Sequence, residues 1–134
     1  MLVLREYMEN ETQEIKKLLI SEGISDLEIN GMIYIMIEDS NIIGVSKVEI
    51  ENDIGELKYL VIKEDKKKQG LGNGLLRGIL NKLDNQGVKK VYYRKNSSYL
   101  MKSGFYLNEK NQLELNLTEF FSGSCQCSGE CNEI

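Results

Sequence analysis

A glycine-rich segment between an apolar strand and an amphipathic helix constrains the fold of this chain most. Residues 55–62 are typical of a strand, residues 67–74 (KKQGLGNG) form a basic loop, and a helix follows. The helix is predicted because its apolar residues recur at helical spacing on one face. These residues are Leu75, Leu76, Ile79, Leu80 and Leu83. Glycines at such a junction allow a tight turn and let a ligand approach the backbone closely.

The remaining segments predict an α+β fold. Strands are predicted at residues 1–6, 32–37, 42–50, 55–62, 91–93, 105–107 and 113–117. Helical spacing at residues 15–19 stops at Gly23, and Ser25-Asp26 is expected to cap a second short helix. The strands on either side of the central helix should pair in parallel. We therefore expect a mixed, mostly antiparallel sheet with helices on its faces.

Composition narrows the function classes. The chain has 134 residues, a net charge of −4 and no histidine, so nucleophilic machinery of the serine–histidine or cysteine–histidine type is excluded. The interspersed charges argue against a nucleic-acid partner. Because no apolar run reaches the length of a membrane span and the first residues do not resemble a signal peptide, we expect a cytoplasmic protein with no membrane partner.

The start of the central helix is predicted to bind a phosphate group. The first N–H groups of a helix lack internal partners, and the helix dipole is positive at that end. Lys66, Lys67 and Lys68 add positive charge on the approach. The loop is not a Walker A motif, because no Lys-Ser/Thr follows, and its third glycine comes one residue early for a dinucleotide fingerprint. A glycine-rich start of a helix without any ligand is the alternative.

This segment resembles the core motif of the GNAT acetyltransferases, Arg/Gln-x-x-Gly-x-Gly/Ala after an apolar strand. The resemblance implies that the loop amides hold the pyrophosphate of acetyl-CoA and that the preceding strand pairs with the pantetheine arm. The implied cofactor-binding residues are Leu60, Val61, Ile62, Lys67, Lys68, Gln69, Gly70, Leu71, Gly72 and Asn73. Lys67 stands where the family has Arg or Gln, which keeps the charge but loses the planar fork.

Residues 96–105, ending in Ser103-Gly104-Phe105, resemble the second motif of the same family and add Asn96 to the implied cofactor site. The segments at residues 55–57 and 118–120 are similar to short acetyltransferases related to N-acetylglutamate synthases, some of which are associated with arsenic resistance. The resemblance implies one GNAT acetyltransferase domain over residues 1–121. A cysteine-rich tail follows over residues 122–134.

Acetylation of an amine requires removal of a proton from the ammonium form and a proton for the departing thiolate. Glu56 is the candidate general base, because at period two it shares a strand face with Lys58 and Leu60; a solvated carboxylate is the alternative. The family usually has a tyrosine four residues before the glycine of Gly-Phe, where this chain has Leu100. Tyr99 is the nearest candidate acid. Another tyrosine, Tyr59 or Tyr92, or water would serve otherwise.

The tail carries Cys125, Cys127 and Cys131, three soft ligands within seven residues. Three thiolates suit a trigonal soft ion such as Cu(I) or trivalent arsenic, whereas zinc would need a fourth ligand. A redox role or exposed thiols without function are the alternatives.

The expected function is acetyl-CoA-dependent N-acetylation of a small-molecule amine, such as an amino acid or a related metabolite. A non-catalytic acyl-CoA sensor and a soft-metal or arsenite-binding protein that acts through the tail are the alternatives. The expected partners are the amine and, as an option, a second copy of the chain in a homodimer.

Overall fold

The computed structural model describes residues 2–123, with seven strands and four α-helices in that range. The strands are β1 (Leu2–Glu6), β2 (Met32–Glu38), β3 (Asn41–Glu51), β4 (Ile54–Ile62), β5 (Lys90–Tyr93), β6 (Tyr106–Leu107) and β7 (Leu113–Asn116). The helices are α1 (Thr12–Ser21), α2 (Leu71–Asn85), α3 (Ser98–Lys102) and α4 (Leu117–Gly123). The α+β class and the mixed, mostly antiparallel sheet predicted from the sequence are confirmed.

The described residues form two compact units. The first comprises residues 2–49 and Leu57–Lys82, and the hydrogen-bonded order of its strands is β1-β2-β3-β4. The second comprises Ile50–Glu56 and residues 83–123, with the order β4-β5-β7-β6, because β4 contributes residues to both units. In the second unit β5 pairs in parallel with Ile54–Glu56 of β4, as the strand–helix–strand order predicts, and its pairing with β7 is antiparallel.

Two apolar clusters build the core of the first unit, one on each face of its strands. Alternate residues of β2 join different clusters, as the period of two in a strand requires. One cluster packs the apolar face of α1 against Ile33, Ile35 and Tyr59. The other packs Leu75 of α2 against Met36 and Ile62. The apolar helical face predicted for α2 is confirmed, because each of its five residues is at most 1% exposed.

The helix predicted at Ser25-Asp26 is wrong. Residues 24–30 form neither helix nor strand. Instead, Asp26 accepts a hydrogen bond from the ammonium group of Lys47 on β3 at 2.9 Å, and the backbone oxygen of Glu28 accepts another at 3.2 Å. The Lys47 side chain is completely buried, so its charge needs this carboxylate as a partner.

Other elements begin or end a residue or two away from their predicted bounds. The last predicted strand ends at Asn116, and Leu117 begins α4, which the sequence interpretation did not include. Asn116 explains the change, because its side-chain oxygen accepts a hydrogen bond from the N–H of Glu119 at 3.0 Å. That contact satisfies one of the free N–H groups in the first turn of α4.

Candidate active site

The glycine turn before α2 has the backbone conformation that its sequence predicts. Lys68 and Gly70 have φ angles of +66° and +77°. The helix begins at Leu71, and the N–H of Gly74 donates to the backbone oxygen of Gly70 at 3.4 Å. A β-carbon on Gly70 would meet no atom within 4 Å. Glycine is therefore favoured there by its left-handed backbone conformation rather than by lack of space.

Carboxylates already neutralise two of the three lysines that precede this turn. The Lys66 ammonium lies 2.7 Å from Glu38, and the Lys67 ammonium lies 2.7 Å from Glu22 and 3.0 Å from Glu64. The hydrogen bond to Glu22 is the main cause that raises the pKa of Lys67, followed by the bond to Glu64. Lys67 thus fixes the loop to the segment after α1 while keeping its own charge.

The predicted pantetheine strand is the end of β4. Leu60 and Ile62 pack on the α2 side, whereas Tyr59 and Val61 pack on the α1 side. The N–H of Lys63 donates to the backbone oxygen of Ile43 at 2.7 Å, which anchors the chain directly after the strand. These contacts place Leu60, Val61 and Ile62 on a rigid strand in the same unit as the glycine turn.

Glu56, the candidate base, lies in the second unit at the start of β4. The Nε of Arg94 lies 2.7 Å from its Oε2 in an ion pair, and the Glu56 side chain retains 23% exposure. Arg94 follows directly after β5, and the parallel register places Glu56 opposite Tyr92. Arg94 therefore orients this carboxylate, and the sequence does not indicate the contact because the two residues are 38 positions apart.

Tyr99 lies in α3 with 39% exposure, whereas Leu100 is buried in the core of the second unit. Burial raises the pKa of the Tyr99 hydroxyl, and a hydrogen bond with Ser103 opposes that shift. Tyr99 therefore stays protonated at neutral pH and can donate a proton. Asn96 is exposed between a bend at residues 94–95 and the start of α3. The side chain of Ser97 begins that helix by accepting a hydrogen bond from the N–H of Leu100 at 3.2 Å.

Tyr59 does not fit the alternative role of proton donor. It is 4% exposed and belongs to the cluster beneath α1. Burial and, to a lesser degree, the charge of Asp26 raise the pKa of its hydroxyl strongly. Among the residues that the structure describes, this hydroxyl has no hydrogen-bond partner.

Sequence reasoning missed a buried carboxylate in the second unit. Glu114 on β7 is 8% exposed. It accepts hydrogen bonds from the hydroxyl of Tyr106 at 2.7 Å and the side-chain amide of Asn108 at 3.1 Å. The Tyr106 bond is the main cause that lowers the pKa of Glu114, against the opposing effect of burial. The alternation of Glu114 with buried Leu113 and Leu115 resembles an ordinary strand, so only the fold reveals the network.

The predicted metal ligands Cys125, Cys127 and Cys131 lie outside the described residues. Within residues 2–123, no cluster of three or more acidic or cysteine side chains is arranged to hold a metal ion. The same part of the chain contains no helix with both the length and the hydropathy of a membrane crossing.

Comparisons with known proteins agree with the fold. A family profile described as an acetyltransferase (GNAT) domain matches residues 3–108. No curated protein matches the chain in sequence.

Solved structures share the fold at low sequence identity. A GNAT-family acetyltransferase from Staphylococcus aureus has a TM-score of 0.76 at 16% identity, covering 87% of this chain and 99% of its own. A Brucella melitensis GNAT acetyltransferase in complex with acetyl-CoA has a TM-score of 0.73 at 14% identity over 87% and 88% of the two chains. N-acetylglutamate synthase from Neisseria gonorrhoeae, in complex with coenzyme A and N-acetyl-glutamate, has a TM-score of 0.74 at 17% identity over 87% of this chain and 35% of its own.

The fold and the profile together define the class as an acyltransferase. The chain belongs to the GNAT acetyltransferase family, because the family profile spans most of its length.

Proposed function

We propose that this protein transfers the acetyl group of acetyl-CoA to a primary amine of a small molecule, with an amino acid among the candidate acceptors. The neutral amine attacks the thioester carbonyl carbon, a C–N bond forms, and the C–S bond breaks. The thiolate of CoA leaves with the bonding electron pair and takes up a proton. Glu56 accepts the proton that the ammonium form of the acceptor loses before attack, directly or through water. The nitrogen loses a second proton as the amide forms, and this loss balances the proton that the thiolate takes up.

One observation carries the cofactor side of this proposal: the left-handed glycine turn immediately before a long amphipathic helix. The N–H groups of the first turn after Gly70 can receive a diphosphate. Lys67, Lys68, Gln69, Leu71, Gly72 and Asn73 complete the proposed pyrophosphate loop, and Leu60 to Ile62 the proposed pantetheine strand. Asn96 is the remaining proposed contact. The likeness to a structure with bound acetyl-CoA supports this assignment through the fold.

The contact between Glu56 and Arg94 supports the proposed base. A carboxylate held at 2.7 Å by a guanidinium has a fixed direction, and positioning supplies much of the rate in acyl transfer. The thiolate receives its proton from Tyr99 or from water. Because Tyr99 is protonated at neutral pH, it is the first residue to test.

The decisive experiment measures cofactor binding and turnover separately. Calorimetry with coenzyme A should detect binding to the wild type, and Gly70→Val should weaken it at least about tenfold, because valine strongly disfavours a positive φ. Gly74→Ala, in the same helix but outside the proposed loop, is the matched control and should retain the affinity. No heat from coenzyme A with the wild type would overturn the proposal.

Turnover is measured as thiol release from acetyl-CoA with a panel of amines. Glu56→Gln should lower kcat by roughly 10²-fold or more, as expected for loss of a general base, with the affinity for coenzyme A retained. Equal turnover in this variant would remove Glu56 from the mechanism. Binding of coenzyme A without release of thiol for any amine would favour the acyl-CoA sensor instead. The cytoplasmic location and the homodimer remain predictions from the sequence.

A further inference from the structure

The second unit contains an open cavity of about 640 Å³ that the proposed chemistry has not used. One part of its wall is apolar and consists of Tyr92, Tyr106, Ile54 and Leu107. The other lining residues are polar or charged: Asn108, Glu109, Lys110, Gln112 and Glu114. A cavity that combines apolar side chains with a few polar groups is typical of a site for a small organic molecule.

Glu114 gives this cavity a fixed negative charge. Tyr106 and Asn108 hold its two carboxylate oxygens, one on each. The ammonium of Lys90 lies 3.7 Å from Oε2, which exceeds direct hydrogen-bond distance, and 43% of the Lys90 side chain is exposed. A cation that enters the cavity therefore competes for Glu114 only with this long contact to Lys90. Aromatic rings at its walls also favour a positively charged group.

The sheet register places this carboxylate in the same row as the proposed base. Glu56 is opposite Tyr92, Tyr92 is opposite Glu114, and Glu114 is opposite Tyr106. Paired residues of neighbouring strands project from the same face, so Glu56 and Glu114 share a face with Tyr92 between them. Adjacent strands are about 4.8 Å apart, and the two residues are therefore separated by roughly 10 Å across the sheet.

We propose that the acceptor is an aliphatic diamine, with one ammonium group bound at Glu114 and the other nitrogen acetylated beside Glu56. The hydrocarbon chain between the nitrogens lies along Tyr92, which stands between Glu56 and Glu114 in the row. This inference rests on the proposed function, since it names the acceptor of the same reaction. The reacting nitrogen loses one proton to Glu56 before it attacks and a second as the amide forms, while the distal nitrogen stays protonated.

The test compares α,ω-diamines with monoamines of the same chain length in the thiol-release assay. We expect kcat/KM to be about tenfold or more higher for the preferred diamine, the equivalent of one charge-assisted hydrogen bond. In Glu114→Gln the ratio of diamine to monoamine kcat/KM should fall by a similar factor. Glu119→Gln removes one exposed charge from α4, outside the cavity lining, and should retain the wild-type ratio.

A second variant guards against a folding defect in Glu114→Gln. Tyr92→Leu retains an apolar side chain but removes the aromatic ring, and it should also lower the preference for diamines. A thermal melt identifies any variant that does not fold. Equal kcat/KM for diamines and monoamines in the wild type, or an unchanged ratio in both folded variants, would overturn the inference while leaving acetyl transfer intact.

Failure of the proposed function has a different signature. If coenzyme A binds but no amine releases thiol, calorimetry on the CoA-bound protein still tests the cavity with the same diamines. Binding that is lost in Glu114→Gln and retained in Glu119→Gln would support a diamine site. Absence of diamine binding to the wild type would overturn it.

Discussion

Lys47 and Asp26 form an asymmetric ion pair, because the lysine side chain is fully buried while 32% of the aspartate side chain is exposed. Burial would raise the pKa of Asp26, but the hydrogen bond from Lys47 and the N–H of Glu28 together lower it. The two partners should therefore respond very differently to substitution.

We predict that Asp26→Asn destabilises the protein by about 2–3 kcal/mol, because it leaves a buried ammonium without its nearest counter-charge. Lys47→Met should cost no more than about 1 kcal/mol, since methionine fills similar space and Asp26 can be solvated. Urea unfolding of both single variants and the double variant measures the difference. Equal costs for the two single variants would contradict this account.

The buried hydroxyl of Tyr59 supports a second prediction at this scale. Tyr59→Phe should leave stability unchanged or raise it by up to about 1 kcal/mol, because it removes a buried polar atom that lacks a partner among the described residues. Tyr106→Phe is the matched control. It removes a hydroxyl bonded to Glu114 at 2.7 Å and should lower stability. Thermal melts at neutral pH decide, and a clear loss for Tyr59→Phe would reveal an unseen partner.

At the scale of elements, alanine substitution should have opposite effects on stability at a glycine inside α2 and at a glycine in the preceding turn, because their backbone conformations differ. Gly74→Ala places a β-carbon 3.6 Å from the end of the Met36 side chain, an ordinary contact. It should stabilise the helix by about 0.5–1 kcal/mol. Gly70→Ala has open space around it but retains a φ of +77°, so it should destabilise by about 1 kcal/mol. Denaturant titration of both variants checks the opposite signs.

Much of the fold was predictable because its signals are local. The apolar face of α2 and the tight turn at the glycines depend on residues within one or two turns. The apolar face is confirmed, and the turn has a left-handed residue at Gly70. The helix predicted at Ser25-Asp26 is wrong because Asp26 pairs with Lys47 on a distant strand. No local pattern contains that partner.

The candidate site divides in the same way. The phosphate loop is contiguous, so its backbone geometry followed from its glycines, although its ligand remains a proposal. Glu56 was the candidate base because alternate residues of a strand share a face. Its contact with Arg94, however, depends on the parallel pairing of β4 with β5. Glu114 was not selected at all, because its donors come from another strand and the loop after it.

At the scale of the whole molecule, the absence of histidine predicts stability that is nearly independent of pH between roughly pH 6 and 9. The pKa values of Glu11, Asp26 and Glu114 are lowered by their hydrogen-bond partners. A group whose pKa is lowered in the folded state stabilises the protein at pH values above its ordinary pKa, which is 3.8 for Asp26 and 4.5 for Glu114. That contribution is lost as the pH falls through the folded-state values.

At alkaline pH the expected trend is reversed, because stability falls as the pH rises. Bonding to Glu114 is the first cause that raises the pKa of Tyr106 from 10.0 to about 12, and burial raises that of Tyr59. Unfolded tyrosines ionise first, so stability should fall as the pH rises from 10 towards 12. Thermal melts from acid to alkaline pH test both the acid and the alkaline loss of stability. A steep change in stability near pH 6.5 would contradict the prediction.

The carboxylate partners of Lys66 and Lys67 have a consequence for how ionic strength affects the cofactor. A loop with three unpaired lysines would bind a polyphosphate mainly by charge, and added salt would weaken it steeply. Here Glu38 and Glu22 already neutralise two of the ammonium groups, so neutral backbone amides should dominate the attraction. Titration with coenzyme A in increasing sodium chloride should show a shallow dependence. It should become steeper when Glu22→Gln and Glu64→Gln together remove both carboxylate partners of Lys67.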